Sequence, residues 1–184
     1  MTVTTLFPTA NEVETTGWTN PNNAHADEGT YTTAAPGKNL AVGTRWLTFG
    51  FDSAIPVSPT PSITKVQIIY EYKVSTTLSI ATMRVRAQID GVDQANHDHS
   101  TEPAADTIVT VDITADRTWT RANLLNASFK LTGEARRGND NDAVTFSLDY
   151  IKAEVTWNAN VAVTPGILAT TTALQIPTAV ASDN

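Results

Sequence analysis

The fold of this chain is decided by the stretch from Trp119 to Trp157, WTRANLLNASFKLTGEARRGNDNDAVTFSLDYIKAEVTW. From Val144 to Tyr150 the apolar side chains fall on every second position, which indicates a β-strand with one buried face. The alternation then changes phase and continues from Ile151 to Trp157. Because a one-residue slip turns every later side chain to the opposite face, this phase change predicts a β-bulge or a strand that passes between two sheets.

Several upstream segments alternate in the same way, and they extend the prediction to the whole domain. Two of them, Ile63–Val74 and Ile80–Asp90, are joined by the short segment Ser75–Ser79 and predict an antiparallel hairpin. Only one short helical turn is predicted, after Thr120 as its cap. Further strands are predicted at residues 2–7, Arg45–Phe51, Thr107–Ile113 and Ala127–Ala135, with Asp90–Asp106 as a polar loop. The predicted fold is all-β, an antiparallel, jelly-roll-like β-sandwich.

Composition narrows the classes of function. The formal net charge is −7 and basic residues are few, so we expect no nucleic-acid partner. The absence of cysteine excludes disulfides, thiolate catalysis and cysteine-ligated zinc. We also expect no signal peptide and no membrane association, because neither a basic start with an apolar core nor a long apolar run is present.

The chain divides into a predicted sandwich, residues 1–157, and a different C-terminal segment, residues 158–184. The only charged side chain of this segment is Asp183, although disordered linkers are usually polar or charged. It is either a further strand of the same domain or an extended arm that adds to the edges of neighbouring subunits, and we favour the arm. Its predicted partner-binding residues are Val161, Val163, Ile167, Leu168, Leu174, Ile176 and Val180.

Three polar clusters could supply metal ligands. His97-Asp98-His99 lies near Asp90 and Asp93, but two histidines at this spacing match no standard zinc pattern. Solvated loops and turns explain all three clusters better than metal ligation does, so we predict no metal and no cofactor. Neither phosphate-binding loops nor hydrolase motifs occur, and we expect no enzyme activity. The other two clusters, Asp140-Asn141-Asp142 and Asp27-Glu28, are candidate calcium ligands that lack the EF-hand spacing.

The long polar segment from Gly17 to Ala34, GWTNPNNAHADEGTYTTA, is rich in turn residues. Connections of this length are usually functional or pinned by their own anchors. Trp18 and Tyr31 are the two aromatic residues that could anchor it. They are also candidate ligand-binding residues, because exposed aromatic rings can stack on sugars.

Two stretches resemble a β-sandwich module that recurs in tailed-bacteriophage virion proteins and related prophage-like bacterial proteins. They are GWTNPNNAHADEGTYTTA and the run from Trp119 through Leu124 to Phe129 with the ending LDYIKAEVTW. The TPGILA segment of the tail is similar to the C-termini of phage head and tail proteins. This chain departs from the module at Lys130-Leu131 and at Trp157. The resemblance implies a virion structural protein.

Among virion roles, we favour a decoration or cement protein that bridges neighbouring capsid subunits through its sandwich and its arm. A tail fibre usually contains internal repeats, and a shell-forming protein needs a long helix; neither is found in the sequence. The expected partners are the major capsid protein or other virion subunits, with homo-oligomers at the capsid surface after assembly in the host cytoplasm. The alternative is a tail or baseplate component with a carbohydrate-binding β-sandwich.

Overall fold

The structure is a computed structural model that describes residues 1–11, 17–47, 54–58, 60–77, 80–125, 128–139 and 141–159, without the side chains of 43–47. Its strands form two antiparallel sheets, so the predicted fold class is confirmed. In chain order the strands are β1 Thr2–Leu6, β2 Ala10–Asn11, β3 Trp18–Thr19, β4 Thr32–Ala34, β5 Ala41–Leu47, β6 Pro61–Val74, β7 Ala81–Ile89, β8 Val92–Asp93, β9 His97–His99, β10 Thr107–Asp112, β11 Phe129–Arg137 and β12 Phe146–Ala159.

Each sheet has six strands. The first has the order β10-β6-β12-β4-β3, with β1 paired to β12, and the second has the order β2-β5-β11-β7-β8, with β9 paired to β7. Sequence-adjacent strands such as β6 and β7 lie in different sheets, as in a jelly-roll-like sandwich. The predicted hairpin of Ile63–Val74 with Ile80–Asp90 is therefore wrong. The alternation of both strands was identified correctly, but it cannot report which sheet a strand joins.

The core lies between the two sheets and follows the predicted alternation. From β6 it takes Val66, Ile68, Tyr70, Tyr72 and Val74, and from β7 it takes Ala81, Met83, Val85, Ala87 and Ile89. Strands β11 and β12 supply the rest of the facing surfaces, including Phe129, Leu131, Phe146 and Ile151. Burial of these side chains, at about 1.5–3 kcal/mol for each large one, is the main stabilisation of the sandwich.

The predicted bulge is present in β12. The pairing of β12 with β6 shifts register between Leu148 and Tyr150, so that Asp149 is the extra residue. Leu148 and Ile151 both belong to the core, whereas Tyr150 is buried outside it, edge-to-face against Phe7 with 5.8 Å between ring centroids. The strand keeps a buried apolar face on both sides of the bulge and stays within one sheet. Of the two sequence-based alternatives, the bulge is correct.

The helical turn predicted after Thr120 is present as a 3-10 helix, Arg121–Leu124. The Thr120 N–H donates a 3.0 Å hydrogen bond to Oδ1 of Asn123. The segment predicted as a polar loop, Asp90–Asp106, is not purely a loop, because β8 and β9 pair there with the edge of β7. The two further 3-10 helices are Pro21–His25 and Thr114–Asp116.

Strand β12 runs to Ala159, two residues past the predicted domain boundary. The predicted arm beyond it, with all seven of its partner-binding residues, lies outside the described residues and stays a prediction. Within the described ranges, no helix has the length and apolar character needed to cross a membrane.

Candidate functional site

The outer face of the second sheet carries a network of charge pairs. Alternation sends the apolar side chains of β7 and β11 inward, and therefore turns Arg84, Arg86, Glu134 and Arg136 outward. Pairing with β9 adds Asp98 beside Arg84, and the β8 residue Asp93 lies beside Arg86. We call these six side chains, Arg84, Arg86, Asp93, Asp98, Glu134 and Arg136, the arginine–carboxylate face.

Arg84 is the centre of one row that crosses three strands. Glu134 of β11 is its register partner on one side, and Asp98 of β9 is its partner on the other. Asp98 accepts two hydrogen bonds, from Nε of Arg84 at 2.6 Å and from Nη2 at 2.8 Å. This bidentate geometry fixes the plane of the guanidinium group. The hydrogen bond lowers the pKa of Asp98, and it raises the pKa of Arg84.

A second row is built around Arg86. Its Nη2 lies 2.9 Å from Oδ2 of Asp93, and its Nη1 lies 3.5 Å from Oε2 of Glu134. Nη1 also donates to Oδ1 of Asn96 over 3.1 Å. Glu134 in turn lies 3.2 Å from Nε of Arg136, so one carboxylate connects all three arginines. Arg86 and Glu134 are only 14% and 18% exposed, and desolvation of this degree strengthens their attraction.

A pocket of about 180 Å³ lies at one end of this face. Its floor and walls include Asp98 and Arg136, whose side chains are 45% and 42% exposed. The full lining is Ile80, Thr82, Asp98, Arg136, Arg137 and Gly138.

From the sequence alone, the only close basic pairs, Arg84/Arg86 and Arg136/Arg137, would be interpreted as solvated strand or turn positions. For Arg84 and Arg86 that interpretation is wrong, because both guanidinium groups lie against carboxylates with less than a fifth of the side chain exposed. Their partners come from β8, β9 and β11, up to 50 residues away in the chain. Only the sheet register brings them together.

A separate group of carboxylates lies on the first sheet. One carboxylate oxygen from each of Asp27, Glu71 and Asp149 lies within 4.8 Å of the others, and these are the only candidate metal ligands grouped in this way among the described residues. The bulge places Asp149 beside Glu71 of β6, and the loop after the 3-10 helix Pro21–His25 adds Asp27. We call these three side chains the carboxylate cluster.

Electrostatics within the carboxylate cluster are unfavourable. Burial raises the pKa of Glu71, and the charges of Asp27 and Asp149 raise it further. Burial also raises the pKa of Asp149, partly offset by a hydrogen bond from the Gly29 N–H. Only Asp27 of this group was a candidate calcium ligand in the sequence analysis. Glu71 and Asp149 were missed, although the phase change at residues 148–151 marks the position where a bulge re-aims a side chain.

The other candidate metal clusters do not converge. His97 Nε2 lies 2.9 Å from Oδ2 of Asp116, Asp98 is held by Arg84, and Nδ1 of His99 lies 2.8 Å from the hydroxyl of Tyr72. Three neighbouring side chains thus point to three different partners. Burial lowers the pKa of His99. Of the third cluster, Asp140 lies outside the described residues, and Asn141 accepts a hydrogen bond from Nζ of Lys38 over 2.9 Å.

Trp18 and Tyr31 occupy different environments. Trp18 belongs to the core and is 8% exposed, and its indole N–H donates a 3.2 Å hydrogen bond to the Val42 carbonyl. It anchors the loop and has almost no free ring surface for stacking on a sugar. Tyr31 is half-buried; its hydroxyl donates to Oδ2 of Asp106 over 2.8 Å, and Nζ of Lys73 lies 4.0 Å from its ring centroid. A ligand role for this loop stays a prediction.

No family model and no curated protein sequence matches this chain. Solved structures with a similar fold include the xylan-binding module CBM15, at 16% identity over 84% of this chain and 97% of that chain, with a TM-score of 0.49. A CBM4 structure matches at 16% identity over 68% and 84%, with a TM-score of 0.44. The N-terminal cellulose-binding domain of Cellulomonas fimi β-1,4-glucanase C matches at 17% identity over 72% and 80%, with a TM-score of 0.39. Because all three TM-scores are below 0.5, we infer nothing about ligands from these similarities.

Proposed function

We propose that this chain is a non-catalytic binding module that takes a neutral, hydroxyl-rich ligand of the saccharide class on the arginine–carboxylate face. The observation that carries this proposal is the balanced charge of the face. Its three guanidinium groups and three carboxylates cancel, so the face has strong local dipoles without a net charge. Such a surface favours a neutral polar ligand over an anion or a cation.

The donor and acceptor pattern suits hydroxyl groups. A hydroxyl donates one hydrogen bond and accepts others, and therefore needs a donor and an acceptor close together. Guanidinium groups only donate and carboxylates only accept, and on this face they alternate at contact distance. Because salt bridges already hold these side chains in place, ligand binding costs little side-chain conformational entropy. The pocket beside Asp98 and Arg136 gives one sugar unit a place to enter.

The same contacts favour binding over catalysis. Hydrolysis of a glycosidic bond usually needs one carboxylic acid that stays protonated as the general acid. On this face the hydrogen bond from Arg84 has the opposite effect and lowers the pKa of Asp98. We therefore propose that a bound saccharide is released unchanged.

A glycan array followed by calorimetry on the leading sugars tests this proposal with the full chain. Arg136→Gln, which changes an exposed member of the face that lines the pocket, should weaken binding at least about tenfold. Lys65→Gln removes the same charge from the first sheet, where Lys65 pairs in register with Thr156, and should leave binding unchanged. Absence of saccharide binding by the wild type, or equal affinity of Arg136→Gln, would refute the proposal. Release of shortened sugar products would refute the non-catalytic part.

The capsid-decoration hypothesis stays a prediction, together with its virion location, capsid partners and homo-oligomeric state. It depends on the charge-poor arm, which lies outside the described residues. Because β12 continues to Ala159, the informative truncation removes residues 160–184. The hypothesis expects the truncated protein to remain folded and to lose attachment to particles. Normal attachment of the truncated protein would exclude the arm as the contact.

A further inference from the structure

Asp149 is a buried carboxylate with an unused oxygen. The residue is 4% exposed, and its Oδ1 has no hydrogen-bond partner among the described residues. Its Oδ2 accepts a 3.2 Å hydrogen bond from the backbone N–H of Gly29. A buried carboxylate is normally neutralised by a cation or fully hydrogen-bonded, because burial of an uncompensated charge is strongly unfavourable. Oδ1 of Asp149 therefore lacks the compensation that a buried carboxylate normally has.

The neighbours of Asp149 increase the negative charge instead of neutralising it. Asp27 and Glu71 each place a carboxylate oxygen within 4.8 Å of the other ligand atoms of the cluster. In the described part of the chain, none of the three side chains forms an ion pair with a lysine or an arginine. The charge of Lys73 acts on Glu71, but its Nζ lies 3.2 Å from Oδ2 of Asp106 and 4.0 Å from the ring centroid of Tyr31.

We propose that the carboxylate cluster of Asp27, Glu71 and Asp149 binds a divalent cation, Ca²⁺. All three side chains offer oxygen, the ligand that hard cations such as Ca²⁺ prefer. Oxygens on opposite sides of a Ca²⁺ ion are about 4.6–5.2 Å apart, because each Ca–O distance is about 2.3–2.6 Å. Because the three oxygens all lie within 4.8 Å of one another, they are close enough to share one Ca²⁺ ion, whose coordination water and backbone carbonyls would complete.

The site would connect three parts of the fold. Asp27 lies in the loop between the 3-10 helix Pro21–His25 and β4, Glu71 lies on β6, and Asp149 is the bulge of β12. A cation bound by all three would fasten the long loop to the first sheet. The alternative is that the cluster shares a proton without a metal, in agreement with the raised pKa of Glu71 and of Asp149. A cation site and a shared proton predict different responses of the protein to added Ca²⁺.

Calorimetric titration and thermal unfolding of the full chain distinguish them. After treatment with EDTA, addition of CaCl₂ should release or absorb heat and raise the unfolding temperature by several degrees, because a ligand that binds only the folded state stabilises it. MgCl₂ should have a smaller effect, since Mg²⁺ needs a tighter octahedral site and loses its water reluctantly. An unchanged unfolding temperature and no binding heat in CaCl₂ would overturn the proposal.

Two variants and one control locate the site. Asp149→Asn keeps an acceptor for the Gly29 N–H but removes the charge, and should weaken Ca²⁺ binding at least about tenfold and abolish the thermal shift. If this variant does not fold, Asp27→Asn tests the same site from an exposed loop position. Glu154→Gln, on the same strand as Asp149 but outside the cluster, should keep the full shift. Ca²⁺ binding that Asp149→Asn or Asp27→Asn leaves unchanged would place the ion elsewhere and overturn the assignment.

Discussion

The backbone N–H of Gly29 donates a 3.2 Å hydrogen bond to Oδ2 of Asp149, although 120 residues separate the two in sequence. This bond joins the long loop that follows the 3-10 helix Pro21–His25 to the bulge of β12. It shows that the bulge does more than accommodate an extra residue in the strand. The bulge presents a carboxylate to Gly29 and Asp27 of the loop and to Glu71 of β6.

Gly29 has φ +69°, a left-handed conformation that a residue with a Cβ adopts at a cost of about 1–2 kcal/mol. No heavy atom lies within 4 Å of an added Cβ, so Gly29→Ala should lower the free energy of unfolding by this strain alone. Gly91→Ala is a matched control, since Gly91 has φ +80° and equally open space. Chemical denaturation should give similar losses for both variants. Any thermal response to Ca²⁺ should change only in Gly29→Ala, and a change in Gly91→Ala would contradict this account.

Deletion of Asp149 should keep the core residues of β12 pointing inward. Leu148 would then be followed by the outward Tyr150 and the inward Ile151, which is the regular alternation of a strand. Deletion of Lys152 should instead turn the later core residues outward. Those residues, Ala153, Val155 and Trp157, are all at most 8% exposed. The lost burial, about 1.5–3 kcal/mol for each large side chain, is comparable with a typical total stability of about 5–15 kcal/mol. Denaturation in EDTA should show cooperative unfolding for the first deletion only.

The Arg84–Asp98 pair should stabilise the protein at neutral pH and not in acid. The hydrogen bond from Arg84 keeps the pKa of Asp98 below its ordinary 3.8 in the folded state. The stabilisation is therefore complete above the unfolded-state pKa, and it is lost as the pH falls through the folded-state pKa. Because Asp98 is 45% exposed, we expect at most about 1 kcal/mol. The difference in unfolding free energy between wild type and Asp98→Asn should shrink as the pH falls below 3.8 and through the lowered pKa of Asp98, and a constant difference would contradict the pairing.

Trp18→Ala should affect folding before it affects any ligand. The side chain is 8% exposed within the core, and its truncation should cost about 3–5 kcal/mol in the free energy of unfolding. Leu40→Ala, at a position that is 61% exposed, should cost less than about 0.5 kcal/mol. Thermal unfolding of both variants is the measurement. A Trp18→Ala protein as stable as the wild type would mean that the indole is not part of the core.

The sequence predicts the strands and the bulge of this protein but not the pairing of its strands. The alternation in β6, β7 and β12 predicted the strands and their inward residues, because a buried sheet face imposes a period of two on any sequence. The phase change predicted the bulge for the same reason. The hairpin prediction failed, since a short connection such as Ser75–Ser79 can turn within a sheet or cross to the other one. The alternation of apolar residues does not distinguish a turn within one sheet from a crossing to the other sheet.

The sequence by itself therefore determined the class of fold, the core residues of the strands and the position of the bulge, all of which depend on local patterns of apolar side chains. Only the tertiary structure decided which charged groups meet. Glu71 and Asp149 are 78 residues apart by number, and Arg84 and Glu134 are 50 apart, yet each pair is adjacent through strand register. Register is set by the packing of the whole sandwich, and the candidate sites follow from it.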